Sequence, residues 1–464
     1  MQPKPDNTFC WFPFSLLALK EWDEKTGILN ASPCCNSIRP ESPDPLNIKE
    51  KLKNKPHNIT ANEIFYGEEM ESIRHAMREG RRHNACNTCW KMEDRGSSQS
   101  YRLQSTPPGI NDPEHDHKFQ NLINNPELKS IDFAFGENCN LRCRMCLPGL
   151  SNKLRIDYKY FVDNEIDTSG MQQFDYKKQW ENRGGRQELL KYDINYKEGS
   201  STKVVHFADD KQWHNILDNI HTLTHIKATG GETLMSKPFL EFLDTAIKKD
   251  VSRNIYLEFH TNATKFSNEN INRLKQFKGL QLNTSIDSIG KNYEYIRYPM
   301  QWDIVDKSLK NLLTELQLIQ SPMTPKMKYL KNFSFNVVLS SLNAHYLPEL
   351  LKYKEELTKY NASEWSVFYV DLLWPEDKYI NIKFLSKKVK KELIELYESM
   401  NSDTVAINIK NAIAFLKQWE DYEPTDLDRK NMLREITAFD KSRNQCYNDY
   451  LHPSIVEYLE TPIK

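Results

Sequence analysis

The sequence predicts an α/β protein built on a parallel sheet, with a small cysteine-rich N-terminal module and C-terminal helices. From residue 130 onward, short β-type runs alternate with helical patterns: Ser130 to Phe135, Thr224 to Ala228, Ile255 to His260, Gln281 to Ile286, Asn332 to Leu339 and Trp365 to Leu373. Between them apolar residues recur every three or four positions, from Pro238 to Lys248, Glu269 to Phe277, Ile304 to Leu318 and Leu347 to Leu357, which is the period of an amphipathic helix. Right-handed crossovers between six such parallel strands wind the sheet into an open or closed partial (β/α)6 barrel.

Four segments follow from this pattern. Residues 1–104 form the cysteine-rich module. Residues 105–129, polar and turn-rich with Pro107, Pro108 and Pro113, read as a linker. The core occupies 130–385, interrupted at 150–207 by a polar, Tyr- and Lys-rich insertion with a Gly184-Gly185 turn; an insertion of this length is either a substrate-binding lid or a solvated excursion. Lys- and Glu-rich helical segments fill 386–464.

Composition excludes several classes of partner. The 464 residues carry 63 Lys+Arg against 64 Asp+Glu, a net charge of -1, so no field of one sign draws nucleic acid or an anionic membrane. The most apolar stretch, Trp11 to Leu19, contains Pro13 and falls far short of the ~20 residues of a membrane-spanning helix. No secretory signal pattern precedes it. A cytoplasmic setting is expected, in which the nine cysteines serve as thiols for metal rather than as disulfides.

Those cysteines are clustered. Immediately after the first strand of the core the chain reads Gly136-Glu-Asn-Cys139-Asn-Leu-Arg-Cys143-Arg-Met-Cys146, a CxxxCxxC spacing at the C-terminal end of a strand, where α/β folds bind ligands. Structural zinc and closed [4Fe-4S] clusters take four protein ligands. Three close cysteines therefore point to a cluster with one iron left open to chelate a ligand, zinc with a distant fourth ligand being the chemical alternative.

This loop resembles the signature of the radical SAM superfamily, and the resemblance runs from about Ser130 to about Leu373. It implies that Cys139, Cys143 and Cys146 hold a [4Fe-4S] cluster whose open iron binds S-adenosylmethionine, cleaved reductively to a 5′-deoxyadenosyl radical. Met145 stands where the family often has an aromatic residue beside the adenine, and a thioether packs adaptably on a ring. Gly230-Gly231-Glu232 is similar to the family's Gly-Gly-Glu element, which meets the methionyl ammonium. Thr261-Asn262-Ala263 is similar to its Thr-Asn-Gly segment, giving Asn262 a place along the cofactor. Ser285, Asp287 and Arg297 resemble its ribose- and carboxylate-binding groups, and a guanidinium suits a carboxylate through paired donors. Asn343 is a further candidate, and His260 reads as a hydrogen-bonded wall residue, with a catalytic acid or base as the alternative because histidine titrates near neutrality.

Ahead of the core, Cys10, the Cys34-Cys35 pair and Cys86-Asn-Thr-Cys89 offer four ligands with one to spare. They resemble the twitch module, a short form of the SPASM domain, although that module ordinarily follows the core. Cys10, Cys34, Cys86 and Cys89 are the candidate ligands, with Cys35 an alternative to Cys34 that spacing does not separate. The site suits a second, auxiliary [4Fe-4S] cluster or a structural zinc. Cys446, isolated among polar residues, has no expected metal role.

Together these features predict a radical SAM enzyme that abstracts hydrogen from a peptide or small-molecule substrate, supplied with electrons by a reductant such as flavodoxin or ferredoxin. The catalytic acid or base is not legible. A catalytically silent, metal-stabilised binding or scaffold protein of the same fold is the alternative, and a zinc hydrolase is disfavoured because no His-Glu-x-x-His set is present.

Overall fold

A computed structural model describes residues 8–23, 28–38, 60–94, 100–104, 121–146, 150–168, 210–317, 331–360, 366–372, 379–400 and 406–462. Most of the expected linker and most of the insertion, Gly184-Gly185 included, lie outside the described residues.

The strands are β1 (Leu16–Asp23), β2 (Ile28–Ser32), β3 (Ser130–Ala134), β4 (His225–Thr229), β5 (Tyr256–Thr261), β6 (Gly279–Ser285), β7 (Lys331–Leu339) and β8 (Ser366–Leu372). The main helices are α1 (Glu68–Arg78), α2 (Asn87–Asp94), α3 (Arg155–Asp163), α4 (Asp210–Asp218), α5 (Lys237–Lys248), α6 (Asn268–Lys275), α7 (Gly290–Ile296), α8 (Trp302–Gln317), α9 (Leu347–Leu357), α10 (Lys387–Glu398), α11 (Ala406–Gln418), α12 (Asp426–Arg443) and α13 (Pro453–Glu460). The chain divides into two compact units, one of Met1–Gly136, Lys203–Phe259 and Gln276–Leu280, the other of Glu137–Thr202, His260–Lys275 and Gln281–Lys464.

In the first unit the strands lie in the order β2-β1-β3-β4-β5. β1 runs antiparallel to β2 but parallel to β3, with Leu17 opposite Ile131, and β3, β4 and β5 are parallel to one another. Strand alternation gives this sheet two different faces. Ile131, Phe133, Ile226, Ala228, Leu257 and Phe259 are buried on one of them. Helices α4 and α5 cover that face: Phe133 meets Trp213 edge-on at 5.8 Å between centroids, and Phe239 lies 5.5 Å from Phe259. Each such aromatic contributes about 2 kcal/mol by leaving water. Helix α5 starts where Ser236 accepts a hydrogen bond from the Phe239 amide (3.4 Å), with Pro238 in its first turn.

The second unit carries β6-β7-β8 in that order, with β7 and β8 parallel. Phe335, Val337 and Leu339 of β7 are buried, as are Leu350 and Leu351 of α9 and Leu309 and Leu312 of α8. The C-terminal segments form helices as expected. Thr425 and Asp428 close a reciprocal capping box at the start of α12, and α12 packs on α3. The described start of the expected insertion, residues 150–168, is thus part of this unit's packing: Leu154 and Phe161 are buried together with Ala438 and Phe439.

At Gly230, φ is +99° and an added Cβ would sit 2.5 Å from the carbonyl oxygen of Gly136. Gly290 also has positive φ, +55°, but nothing stands within 4 Å of its Cβ position. Gly290→Ala is therefore expected to cost about 1 kcal/mol in backbone strain alone. Gly230→Ala adds a clash with backbone, for about 2–5 kcal/mol in total. Thermal unfolding of the two variants checks the ranking.

Candidate metal centres and the groups around them

The loop at 139–146 is built so that polar hydrogens face sulfur. The amide of Leu141 donates to Cys139 Sγ at 3.4 Å, and Asn262 Nδ2 approaches the same sulfur at 3.8 Å. Arg297 Nη1 points at Cys143 Sγ from 3.7 Å. Cys139 and Cys143 are buried and Cys146 is half-buried, with Leu141, Met145 and Met300 packed among them. Burial pushes the Cys143 thiol up to about 12 against the pull of Arg297, with Cys146 and Cys139 adding to the rise. A bound cation removes that penalty by taking the thiolate form.

The backbone holds the loop in shape. The amides of Arg142 and Arg144 donate to the carbonyls of Tyr298 (2.7 Å) and Ile296 (2.9 Å), and the Cys139 amide donates to Asn152 Oδ1 (3.2 Å). Ser151 Oγ donates to the Leu141 carbonyl at 2.6 Å. Asn262 also donates to Asn140 Oδ1 (2.9 Å) and accepts from Thr264, whose amide lies 3.1 Å away. The next residue, Ala263, has φ +63°, a conformation that favours glycine.

Arg297 and Asp287 are paired, Nε to Oδ2 at 2.5 Å, and both are buried. Burial alone would lower the arginine's pKa, but Asp287 and Cys143 hold it above its ordinary value. Asp287 Oδ1 accepts from the Val338 amide (2.8 Å), and Asn343 Nδ2 donates to the Asp287 carbonyl (2.9 Å). Ser285 is half-buried at the end of β6. His260 Nδ1 lies 3.1 Å from Asn336 Nδ2.

In the other unit, Gly230 and Gly231 both have positive φ after β4, and the buried Glu232 accepts from the Leu234 amide at 3.2 Å. The N-terminal cysteines converge there as a second set. Cys10, Cys34, Cys86 and Cys89 line one cavity with Phe12, Tyr101 and Arg102, and Cys35 is not among its lining residues. Cys35 instead lies within electrostatic reach of Lys227 and Tyr101. The Phe12 amide points at Cys10, and the amides of Arg102 and Tyr101 point at Cys89. Burial raises the Cys10 and Cys86 thiols far above their ordinary range, neighbouring thiols add to the rise, and Arg102 opposes it. Arg102 is fixed by Glu93 (Nε to Oε1, 3.0 Å), by the Phe9 carbonyl (2.9 Å) and by the face of Trp90 (4.7 Å). The donors aimed at sulfur fit thiolate ligation in both units.

Sequence reasoning missed a polar row beside this cavity. Asp132, Lys227 and Glu258 lie in register across β3, β4 and β5, on the face opposite the aromatic one. Lys227 Nζ stands 3.5 Å from Glu258 and 3.2 Å from the Tyr101 hydroxyl. Burial would favour the neutral amine, yet Glu258 and its neighbours hold Lys227 protonated. A charged residue at the middle of each of three consecutive strands was the available signal. Arg144 was missed as well; its buried side chain meets Asp440 Oδ1 at 2.5 Å.

The cavity separates the two neighbouring cysteines experimentally. Cys34→Ser is expected to lower the metal bound by the N-terminal set, whereas Cys35→Ser leaves it unchanged. Metal content per chain after anaerobic reconstitution of each variant is the measurement.

No family model matches the chain, and no curated protein does either. Among solved structures, SuiB of Streptococcus suis bound to S-adenosylmethionine is 12% identical at a TM-score of 0.31, over 71% of this chain and 60% of that one. SuiB bound to its precursor peptide SuiA is 12% identical at 0.32, over 82% and 69%. The protein anSMEcpe with bound AdoMet is 15% identical at 0.24, over 49% and 50%. The chain thus spans less than two thirds of the first of these, and likenesses this slight are recorded without bearing on its activity.

Proposed function

We propose that the chain is a radical SAM enzyme with a partial (β/α)6 barrel, in which Cys139, Cys143 and Cys146 hold a [4Fe-4S] cluster with one open iron. The observation that carries this is the loop itself, with three cysteines in CxxxCxxC spacing and N–H donors from Leu141, Asn262 and Arg297 turned toward their sulfurs. Hydrogen bonds to sulfur and the balance of nearby charge are what tune such a cluster. When bound and reduced, cluster and S-adenosylmethionine together supply a 5′-deoxyadenosyl radical for hydrogen abstraction from a peptide or small molecule.

The chain's own residues bind and orient in this reading. Arg297, held by Asp287, presents a guanidinium to the methionyl carboxylate. Met145 packs on the adenine, and Ser285 and Asn262 line the remainder. Cys10, Cys34, Cys86 and Cys89 hold the auxiliary cluster. Among the described residues, three or more His, Cys, Asp or Glu ligand atoms lie mutually within 4.8 Å only at His345, Glu392 and His452. A tetrahedral zinc site brings its sulfurs to about 3.8 Å from one another, so the wider cysteine set suits a cluster better than a single ion. Electrons come from a one-electron donor of the flavodoxin or ferredoxin class. Among the described residues no helix is long and apolar enough to cross a membrane.

Anaerobically reconstituted protein is expected to carry about eight irons with matching sulfide and, with reductant, to form 5′-deoxyadenosine from S-adenosylmethionine. Replacing Cys139, Cys143 and Cys146 by Ala should remove about four irons and abolish the product. Iron-free protein, or iron without 5′-deoxyadenosine, would refute the reading.

A further inference from the structure

We propose that helix α12 is the anchor of the 139–146 loop, with Asp440 and Arg443 as positioning residues that fix its conformation and balance its charge. The inference rests on the reading of that loop as a cluster loop. The two residues flanking Cys143 are both arginines, and each runs to its own buried carboxylate.

Arg144 is 2% exposed. Its Nη2 reaches Asp440 Oδ1 at 2.5 Å and Gln445 Oε1 at 3.0 Å, Nε donates to the Tyr295 carbonyl at 3.0 Å, Nη1 donates to the Ile436 carbonyl at 3.3 Å, and its guanidinium lies 3.5 Å above the Tyr295 ring. Asp440 also accepts from the Tyr295 hydroxyl (2.9 Å) and the Tyr447 amide (2.8 Å). On the other side of Cys143, Arg142 Nη1 meets Asp157 Oδ1 at 3.2 Å, and Asp157 accepts as well from Arg443 (3.0 Å) and Ser442 (2.6 Å). Asp440, Ser442 and Arg443 all belong to α12.

A buried cation between two ligand residues of a cluster acts on it in two ways. Held by Asp440, it fixes the loop; stripped of Asp440, it becomes an uncompensated positive charge that favours the more negative, reduced cluster. Loss of the aspartate charge should therefore loosen the loop and raise the midpoint potential, and neutralising both partners should undo the electrostatic shift. A purely structural contact would not move the potential with that sign.

The test uses the full chain as Asp440→Asn and as Arg144→Met/Asp440→Asn; an Asn there can accept from the Tyr447 amide through its one oxygen and donate through Nδ2 to the Tyr295 hydroxyl, and the double variant keeps the comparison interpretable if the single variant folds poorly. Amide hydrogen exchange at 139–146 in metal-free protein is expected to rise about ten-fold or more in Asp440→Asn. In reconstituted protein, the cluster whose electron spin resonance changes on adding S-adenosylmethionine should titrate at a higher potential in Asp440→Asn and return toward wild type in the double variant. Wild-type exchange in Asp440→Asn overturns the anchor, and an unmoved or lowered potential overturns the charge balance. Altered exchange in a chain whose wild type shows no S-adenosylmethionine-responsive cluster leaves the anchor standing and refutes the functional reading instead.

Discussion

Asp157 is wholly removed from water, and a carboxylate in that position is tolerable only with opposite charge and hydrogen bonds close at hand. Arg142, Arg443 and Ser442 supply them. That one requirement joins the cysteine loop, helix α3 and helix α12. Removing a partner strands a charge in a low-dielectric interior, at a cost of about 3–5 kcal/mol, so the three segments keep their arrangement together. The cysteines inherit their geometry from that arrangement.

The two thiol sets share a physical logic. Each gathers cysteines in a buried place where the protonated form is favoured without metal, and each turns peptide or side-chain N–H groups toward sulfur. They differ in number: three cysteines in the loop, four around the N-terminal cavity. A three-ligand set leaves a coordination position for a ligand, whereas a four-ligand set is closed and suits electron storage or structure. The polar row of Asp132, Lys227 and Glu258 touches the second set through Tyr101, which lines the cavity and meets Lys227 with its hydroxyl.

Much of this was legible in the sequence. The six strands of the core fall within one or two residues of their predicted positions, because buried parallel strands announce themselves as short apolar runs between helical periods. The addition of β1 to the sheet beside β3 was not foreseen. Leu16 to Leu19 is a continuous apolar run beside Pro13, too short to distinguish a strand from a buried helix, and its pairing with β3 is a non-local event that no local pattern encodes. The cysteine spacings pointed to both candidate centres, but the choice of Cys34 over Cys35 as a cavity residue depends on which way two adjacent side chains turn. Ala263 occupies a left-handed position that the resemblance reserves for glycine, and the sequence alone gave no sign that alanine would accept it. Arg144 and Asp440 were invisible as a pair because ion pairs between distant segments leave no spacing to read.

Asp440 lies 296 residues beyond Arg144. At ordinary rates of ribosomal synthesis, about 5–20 residues per second, the cysteines emerge some 15–60 seconds before the helix that neutralises their neighbour. During that interval the nascent loop has its thiols but not its counter-charge. The loop's final arrangement is thereby tied to the synthesis of a segment far downstream, which sets the order in which its parts can settle.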